Sequence, residues 1–85
     1  MEDIPTIIEA VRKYILDEFL PGEPPESLAH DTPLISGGIL DSIATLKVVL
    51  FLEDRFGIVL AAHEVDRERL DTLDKIAELL ASKRA

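Results

Sequence analysis

The sequence predicts an all-α fold: a four-helix bundle of three principal helices and one short one, with a long loop between helices 1 and 2. Three observations predict it. Apolar residues recur at helical spacing in three separate segments. Breaker residues gather in one stretch, Pro21 to Asp41, which holds four of the five prolines and three of the four glycines. No pattern of strands alternating with helices is present.

The first helix carries Ile4, Ile7, Ile8, Val11, Ile15 and Phe19 on one face, with Glu9, Arg12, Lys13, Asp17 and Glu18 falling mostly elsewhere. Two starts are open to it. Thr6 with Glu9 three residues on forms a capping box, and Asp3 followed by Pro5 offers another cap. Pro21-Gly22 stops the helix. The stretch from Pro21 to Asp41 reads as a loop, and a connection of about twenty residues in so small a domain points to a role of its own. Leu28, Leu34, Ile35, Ile39 and Leu40 can pin it to the core.

A second helix runs from about Ser42 to Phe56 and ends at Gly57, a residue suited to the left-handed conformation after a helix. At about 100° per residue, Thr45, Val49, Leu52 and Phe56 share one side with Leu46 beside them, which predicts the core side. Ile43, Lys47, Leu50 and Asp54 form a second row, two apolar and two charged, suited to a partner surface. Ile58 to Leu60 reads as a strand fragment or a buried linker, and alone it cannot make a sheet. A brief charged helix is expected over roughly His63 to Arg69. The last helix begins at Asp71 or Thr72 and carries Leu73, Ile76, Ala77 and Leu80 on one face. The tail from Ser82 to Ala85 is expected to fray, with the cations Lys83 and Arg84 well placed near a helix C-terminus. The expected core includes Val11, Ile15, Leu46, Val49, Leu52, Phe56, Ile76 and Leu80.

Eighty-five residues make one domain at most. With 47% apolar residues the chain can build a core, though a small one. Seventeen acidic residues against nine basic ones leave a net charge of −8. That balance argues against nucleic acid and against a basic membrane anchor, and favours partners with basic surfaces. Met1-Glu2-Asp3 lacks the cationic region of a secretory signal, and the longest apolar runs, Val48 to Leu52 and Ile58 to Ala62, fall far short of a membrane span. A soluble, cytoplasmic monomer is expected. Zero cysteines exclude a disulfide framework, Cys-ligated zinc and a protein thiol nucleophile, so any sulfur chemistry must be imported.

The informative segment is Gly37-Gly38-Ile39-Leu40-Asp41-Ser42-Ile43: a serine at the first turn of a helix, behind an acid and a glycine-bearing loop. An arbitrary Asp-Ser pair in such a place does no more than cap. Here it has company. Gly38 to Ile43, then Leu46, Leu50-Phe51-Leu52-Glu53 and Phe56-Gly57-Ile58, resembles the acyl carrier protein and peptidyl carrier protein superfamily. The first helix, the long loop, Asp31-Thr32-Pro33-Leu34, the short third helix and the Asp71-Thr72-Leu73 start of the last helix fall in that family's order, so the resemblance covers nearly the whole chain.

The resemblance implies that residues 1–85 form a single phosphopantetheine-binding carrier domain. Ser42 would be esterified by 4′-phosphopantetheine, delivered from coenzyme A by a dedicated transferase, and the arm's terminal thiol would hold an acyl or aminoacyl group as a thioester. Asp41 would cap the helix and help place the transferase's magnesium. The chain would not itself be an enzyme. Its partners would be a phosphopantetheinyl transferase, a loading enzyme (adenylating enzyme or acyltransferase) and a downstream synthase or transferase. The physics agrees, since the first turn of a helix offers unpaired N–H groups and the positive end of the macrodipole to an anion.

The second helix departs from the fatty-acid members of that family, which typically show an acid in its first half. This chain has Ala44 and Lys47 there, and keeps Glu53 and Asp54 further on. The serine motif and the Asp71-Thr72-Leu73 start are similar to free-standing carriers of specialised pathways, aminoacyl, glyceryl and D-alanyl carriers among them. A discrete carrier in polyketide or nonribosomal peptide biosynthesis is expected, with fatty-acid or lipid biosynthesis the alternative. The expected partner contacts are Ile43, Lys47, Leu50, Glu53 and Asp54. Gly37 and Gly38 read either as keeping the loop bare beside Ser42 or as ordinary turn residues.

Other classes fit less well. An enzyme using Ser42 as nucleophile, His30 or His63 as base and Asp31 as orienter lacks Gly-x-Ser-x-Gly. A metal site from His30, Asp31, His63 and Glu64 amounts to two His-acid pairs that are usually solvated surface. A non-covalent helical interaction module would leave Ser42 as a cap alone.

Overall fold

The computed structural model describes residues 3–84, with side chains for residues 3–83. Among them the chain is all-helical: α1 (Ile4–Phe19), α2 (Ser42–Phe56), α3 (Arg67–Leu70) and α4 (Leu73–Arg84), with 3-10 turns at Pro25–Ser27 and Ala62–Glu64. No described helix is long and apolar enough to cross a membrane.

α1 starts from Asp3, whose carboxylate accepts the Thr6 N–H at 3.0 Å and whose carbonyl accepts the Ile7 N–H at 3.0 Å. Of the two starts open to the sequence, the one with Pro5 in the first turn is used, because proline there gives up an N–H that no helical bond needs. Glu9 turns to Arg12 instead. The buried face of α1 is Ile7, Ile8, Val11, Ile15 and Leu16. It packs against α4, whose Leu73, Ile76, Ala77, Leu79 and Leu80 are buried in the same cluster. α2 closes this core with Ala44, Val48, Val49, Leu52 and Phe56. The long loop is part of it too: Leu28, Leu34 and Leu40 are fully buried or nearly so, Ile35 and Ile39 pack against them, and Arg12 Nε holds the Leu28 carbonyl at 3.0 Å.

Several expectations are corrected. Leu46 is 58% exposed and lies outside the core. α2 is apolar around most of its circumference, so its pattern alone does not fix which stripe turns inward. The stripe used runs through Ala44 and Val48 to Leu52, and Leu46 joins the outer row with Ile43 and Leu50. Thr45 is half-buried, its hydroxyl donated to the Asp41 carbonyl at 2.7 Å. Ile4, at the start of α1, is exposed. The single short helix expected over His63 to Arg69 is two pieces, the Ala62–Glu64 turn capped at Val65 and α3, which Asp66 caps by accepting the Arg69 N–H at 2.9 Å. Ile58 to Leu60 is a linker without strand pairing, but not the buried one expected: Leu60 is buried, Ile58 half-buried and Val59 78% exposed. α4 continues through Ser82 and Lys83 to Arg84 where fraying was expected, with Lys83 Nζ on Glu64 at 2.9 Å and Ser82 Oγ on the Leu79 carbonyl at 2.7 Å. Ala85 and the Arg84 side chain, also part of that expectation, lie outside the described residues.

Candidate functional site

Ser42 owes its position to the way the loop returns. Leu34 donates its N–H to the Asp71 carbonyl at 2.6 Å, and the Ile35 and Ser36 N–H groups reach the Asp71 Oδ1 at 2.8 and 2.9 Å. Ser36 Oγ adds a bond to Asp71 Oδ2 at 2.7 Å. These donors, Ser36's first, hold the Asp71 carboxyl below the usual carboxylate range. The chain then turns sharply. A Cβ on Gly37 would run into the Pro33 carbonyl oxygen, and Gly38 sits at φ +84°, in the left-handed region that favours glycine. The turn itself requires both glycines. Leu40 N–H closes it on the Leu34 carbonyl at 2.9 Å, and with Leu40 buried the next residues emerge at the surface.

Asp41 is the N-cap of α2. Its Oδ1 accepts the Ala44 N–H at 2.8 Å, and its carbonyl accepts the Thr45 N–H at 2.8 Å. Ser42 is the first residue of α2, exposed, and its hydroxyl makes no hydrogen bond among the described residues. Beside it lies an open groove of about 390 Å³, lined by Ile35, Leu40, Asp41, Thr45, Val65 and Arg67 as well as Ser42. A serine oxygen free of internal bonds, reachable from solvent and set at the positive end of a 15-residue helix is a suitable attachment point for an anionic group.

The outer row of α2 stands clear of the core. Ile43 is 69% and Leu50 55% exposed, with Lys47 and Asp54 exposed among them. Both apolar members are therefore available to a partner rather than spent on packing. Glu53 is placed differently, half-buried with its carboxylate accepting the Leu60 N–H at 2.9 Å, while its carbonyl accepts the N–H of Gly57 at φ +65°. That side chain shapes the turn after α2.

The polar residues of the enzyme and metal alternatives are scattered. His30 Nδ1 lies 3.5 Å from Asp74 at the start of α4, and neither histidine lines the groove of Ser42. Glu64 is occupied by the Ala61 N–H and by Lys83 Nζ, both at 2.9 Å, which hold its carboxyl below its ordinary range. No group of three His, Asp or Glu able to hold a metal ion exists among the described residues. Sequence reasoning missed Val65 and Arg67 as neighbours of Ser42 and missed the Asp71 clamp. Each contact joins residues more than twenty positions apart, where helical periodicity carries no signal.

No protein-family model matches the chain. It is similar to the D-alanyl carrier protein of Lacticaseibacillus casei (strain BL23), 34% identical over 70 residues that cover 80% of this chain and 86% of the relative. It is 39% identical over 71 residues to the D-alanyl carrier protein of Streptococcus suis (strain 98HAH33), covering 84% of this chain and 81% of that one. The D-alanyl carrier protein of Lactococcus lactis subsp. lactis (strain IL1403) is 39% identical over 54 residues, 64% of this chain and 68% of that one.

Proposed function

The chain belongs to the acyl and peptidyl carrier protein family, whose members hold cargo for enzymes and are not enzymes themselves, and on that premise we propose that it carries an aminoacyl group on a 4′-phosphopantetheine arm attached to Ser42. The observation that carries the attachment is the exposed, uncommitted Ser42 hydroxyl at the first turn of α2. In the attachment step, catalysed by the transferase, Ser42 Oγ would attack the phosphorus of coenzyme A that bears the pantetheine. The bond between the two phosphates breaks, adenosine 3′,5′-bisphosphate leaves, and the serine proton passes to the transferase. Asp41 fixes the helix end that presents the oxygen, and its carboxylate is available to the transferase's magnesium. The arm supplies the thiol that this cysteine-free chain lacks, and so a thioester for the cargo.

The relatives, D-alanyl carrier proteins, support an amino acid as cargo, and a small one. An adenylating enzyme is then the loader, the same chemistry that nonribosomal peptide biosynthesis uses. Nothing in the relatives adds support to a polyketide or fatty-acid cargo. Ile43, Leu46, Lys47, Leu50 and Asp54 form the docking face for loading and transfer enzymes, with Glu53 holding the turn beneath it. Residues 1–85 form one carrier domain, acting in the cytoplasm where coenzyme A and ATP are made available to its partners.

Co-expression with a broad-specificity phosphopantetheinyl transferase and intact-mass measurement test the attachment. Wild type gains one phosphopantetheinyl group and Ser42→Ala gains none. A wild type that gains no mass, or a Ser42→Ala chain that still gains it, ends the reading.

A further inference from the structure

The groove beside Ser42 contains a cation, Arg67, that makes no direct ion pair among the described residues and whose charge reaches the Asp71 carboxylate only at longer range. Arg67 is exposed at the first residue of α3 and forms no ion pair among the described residues, in a chain with 17 acidic side chains. Beyond the Ser36 and Ile35 hydrogen bonds, Arg67's charge helps to lower the Asp71 pKa, but the Asp66 and Asp71 carboxylates make their hydrogen bonds to other groups. Asp66 caps α3 through the Arg69 N–H, and Asp71 is taken up by Ile35 and Ser36. Asp41, the acid that does line the groove, points an oxygen at the Ala44 N–H. Ile35 and Val65, half-buried and apolar, line the same groove.

We propose that Arg67 pairs with the phosphodiester formed at Ser42 and, together with the apolar wall of Ile35 and Val65, holds the root of the arm in this groove; the placement rests on the attachment at Ser42 argued above. A guanidinium offers two parallel N–H donors, which match the two unesterified oxygens of a phosphodiester, where an ammonium offers only a point charge. The branched, methyl-bearing carbon that follows the phosphate in pantetheine then meets Ile35 and Val65 rather than water. Arg67 also offsets the repulsion between the new negative charge and the Asp41 carboxylate. It is a positioning residue: it does not touch the thiol, but it sets the side of α2 from which the arm departs. Exposed ion pairs are weak, so docking is reversible, and loss of the pair lowers the ratio of docked to free arm by about fivefold at most.

The test compares the apo and holo forms of wild type, Arg67→Gln and Arg67→Lys by phosphorus and amide NMR, with the mass of each sample confirming attachment. In wild type, attachment displaces the Ile35, Val65 and Arg67 amide signals, and about 1 M salt, where screening acts over about 3 Å, returns them toward their apo positions. Arg67→Gln shrinks the Ile35 and Val65 displacements and moves the phosphorus signal to its high-salt position, while Arg67→Lys retains part of both. A holo Arg67→Gln chain whose phosphorus and amide signals match holo wild type, or a wild type whose displacements ignore salt, overturns the role of Arg67 while leaving attachment at Ser42 intact. A wild type that gains no mass overturns both.

Discussion

Ser36 and Asp71 are joined twice across 35 positions of sequence: the Ser36 N–H meets Asp71 Oδ1 at 2.9 Å and its hydroxyl meets Oδ2 at 2.7 Å. The Asp71 carbonyl takes the Leu34 N–H as well, at 2.6 Å. One residue at the junction of α3 and α4 thus fixes the loop segment just ahead of the glycine turn that delivers Ser42.

Removal of that clamp destabilises the fold and loosens the loop. Asp71→Ala lowers the unfolding free energy by about 1–2 kcal/mol at pH 7, the range for hydrogen bonds to a charged group discounted for a partly exposed site. The pH dependence has a definite sign. The folded-state pKa of Asp71 lies below its ordinary 3.8, so its contribution is present above that value and disappears as pH falls through the folded pKa. Denaturant titrations of wild type and Asp71→Ala differ most near pH 7, and the difference narrows only as pH falls below 3.8. A difference that stays constant over that range contradicts the assignment.

The loop carries core weight equal to that of a helix. Leu34 in the loop and Leu52 in α2 are both wholly buried. Leu34→Ala and Leu52→Ala each cost about 2–5 kcal/mol, because each removes a packed side chain and leaves a cavity among rigid neighbours. In a domain whose total stability is of order 5–15 kcal/mol, either variant is close to unfolding. Chemical denaturation followed by circular dichroism shows comparable losses; a Leu34→Ala variant within 0.5 kcal/mol of wild type, roughly the size of a surface substitution, contradicts the loop's place in the core.

The legibility of the sequence divides along a physical line. Where a signal is local it reads correctly: the inner face of α1 from Ile7 to Ile15, the left-handed Gly57 that ends α2, and the anchoring leucines of the loop at 28, 34 and 40. The places of Asp41 as N-cap and Ser42 as first residue of α2 read correctly for the same reason, since a cap and its helix are neighbours in sequence. Leu46 misled because α2 is apolar on several faces, and its inward face is chosen by α1 and the rest of the core rather than by its own spacing. The groove at Ser42 was invisible because Ile35, Val65 and Arg67 arrive from segments on either side of α2.

The capping role of Asp41 and the role proposed for it toward the transferase's magnesium separate by substitution. Asn serves as an N-cap as well as Asp does, whereas Ala does not. Asp41→Asn therefore keeps the wild-type melting temperature to within about 2 °C, and Asp41→Ala loses about 1 kcal/mol, roughly 4–8 °C in a domain of this size. Modification of Ser42 by the transferase slows in both variants, because neither offers magnesium a carboxylate. Melting curves and time-resolved mass measurements distinguish the two roles. Modification of Asp41→Asn at the wild-type rate restricts Asp41 to capping.

Salt is expected to stabilise this protein. Two effects oppose each other as ionic strength rises. Screening weakens the pairs Lys13–Asp17, Lys83–Glu64 and Arg12–Glu9, and such solvated pairs contribute little to stability. Screening also relieves the mutual repulsion of a net charge of −8 carried by 85 residues, and that term sums over every exposed carboxylate left without a cation. Most of the described acids are exposed and have no cation partner among the described residues, so relief outweighs loss. The melting midpoint rises as sodium chloride increases from about 0.02 to 0.5 M, with most of the gain below about 0.1 M, where the screening length has already contracted to about 10 Å. A midpoint that falls steadily over that range means the few ion pairs matter more than the net charge, and Lys83→Gln, which breaks the tie between α4 and the Ala62–Glu64 turn, then accounts for most of the fall.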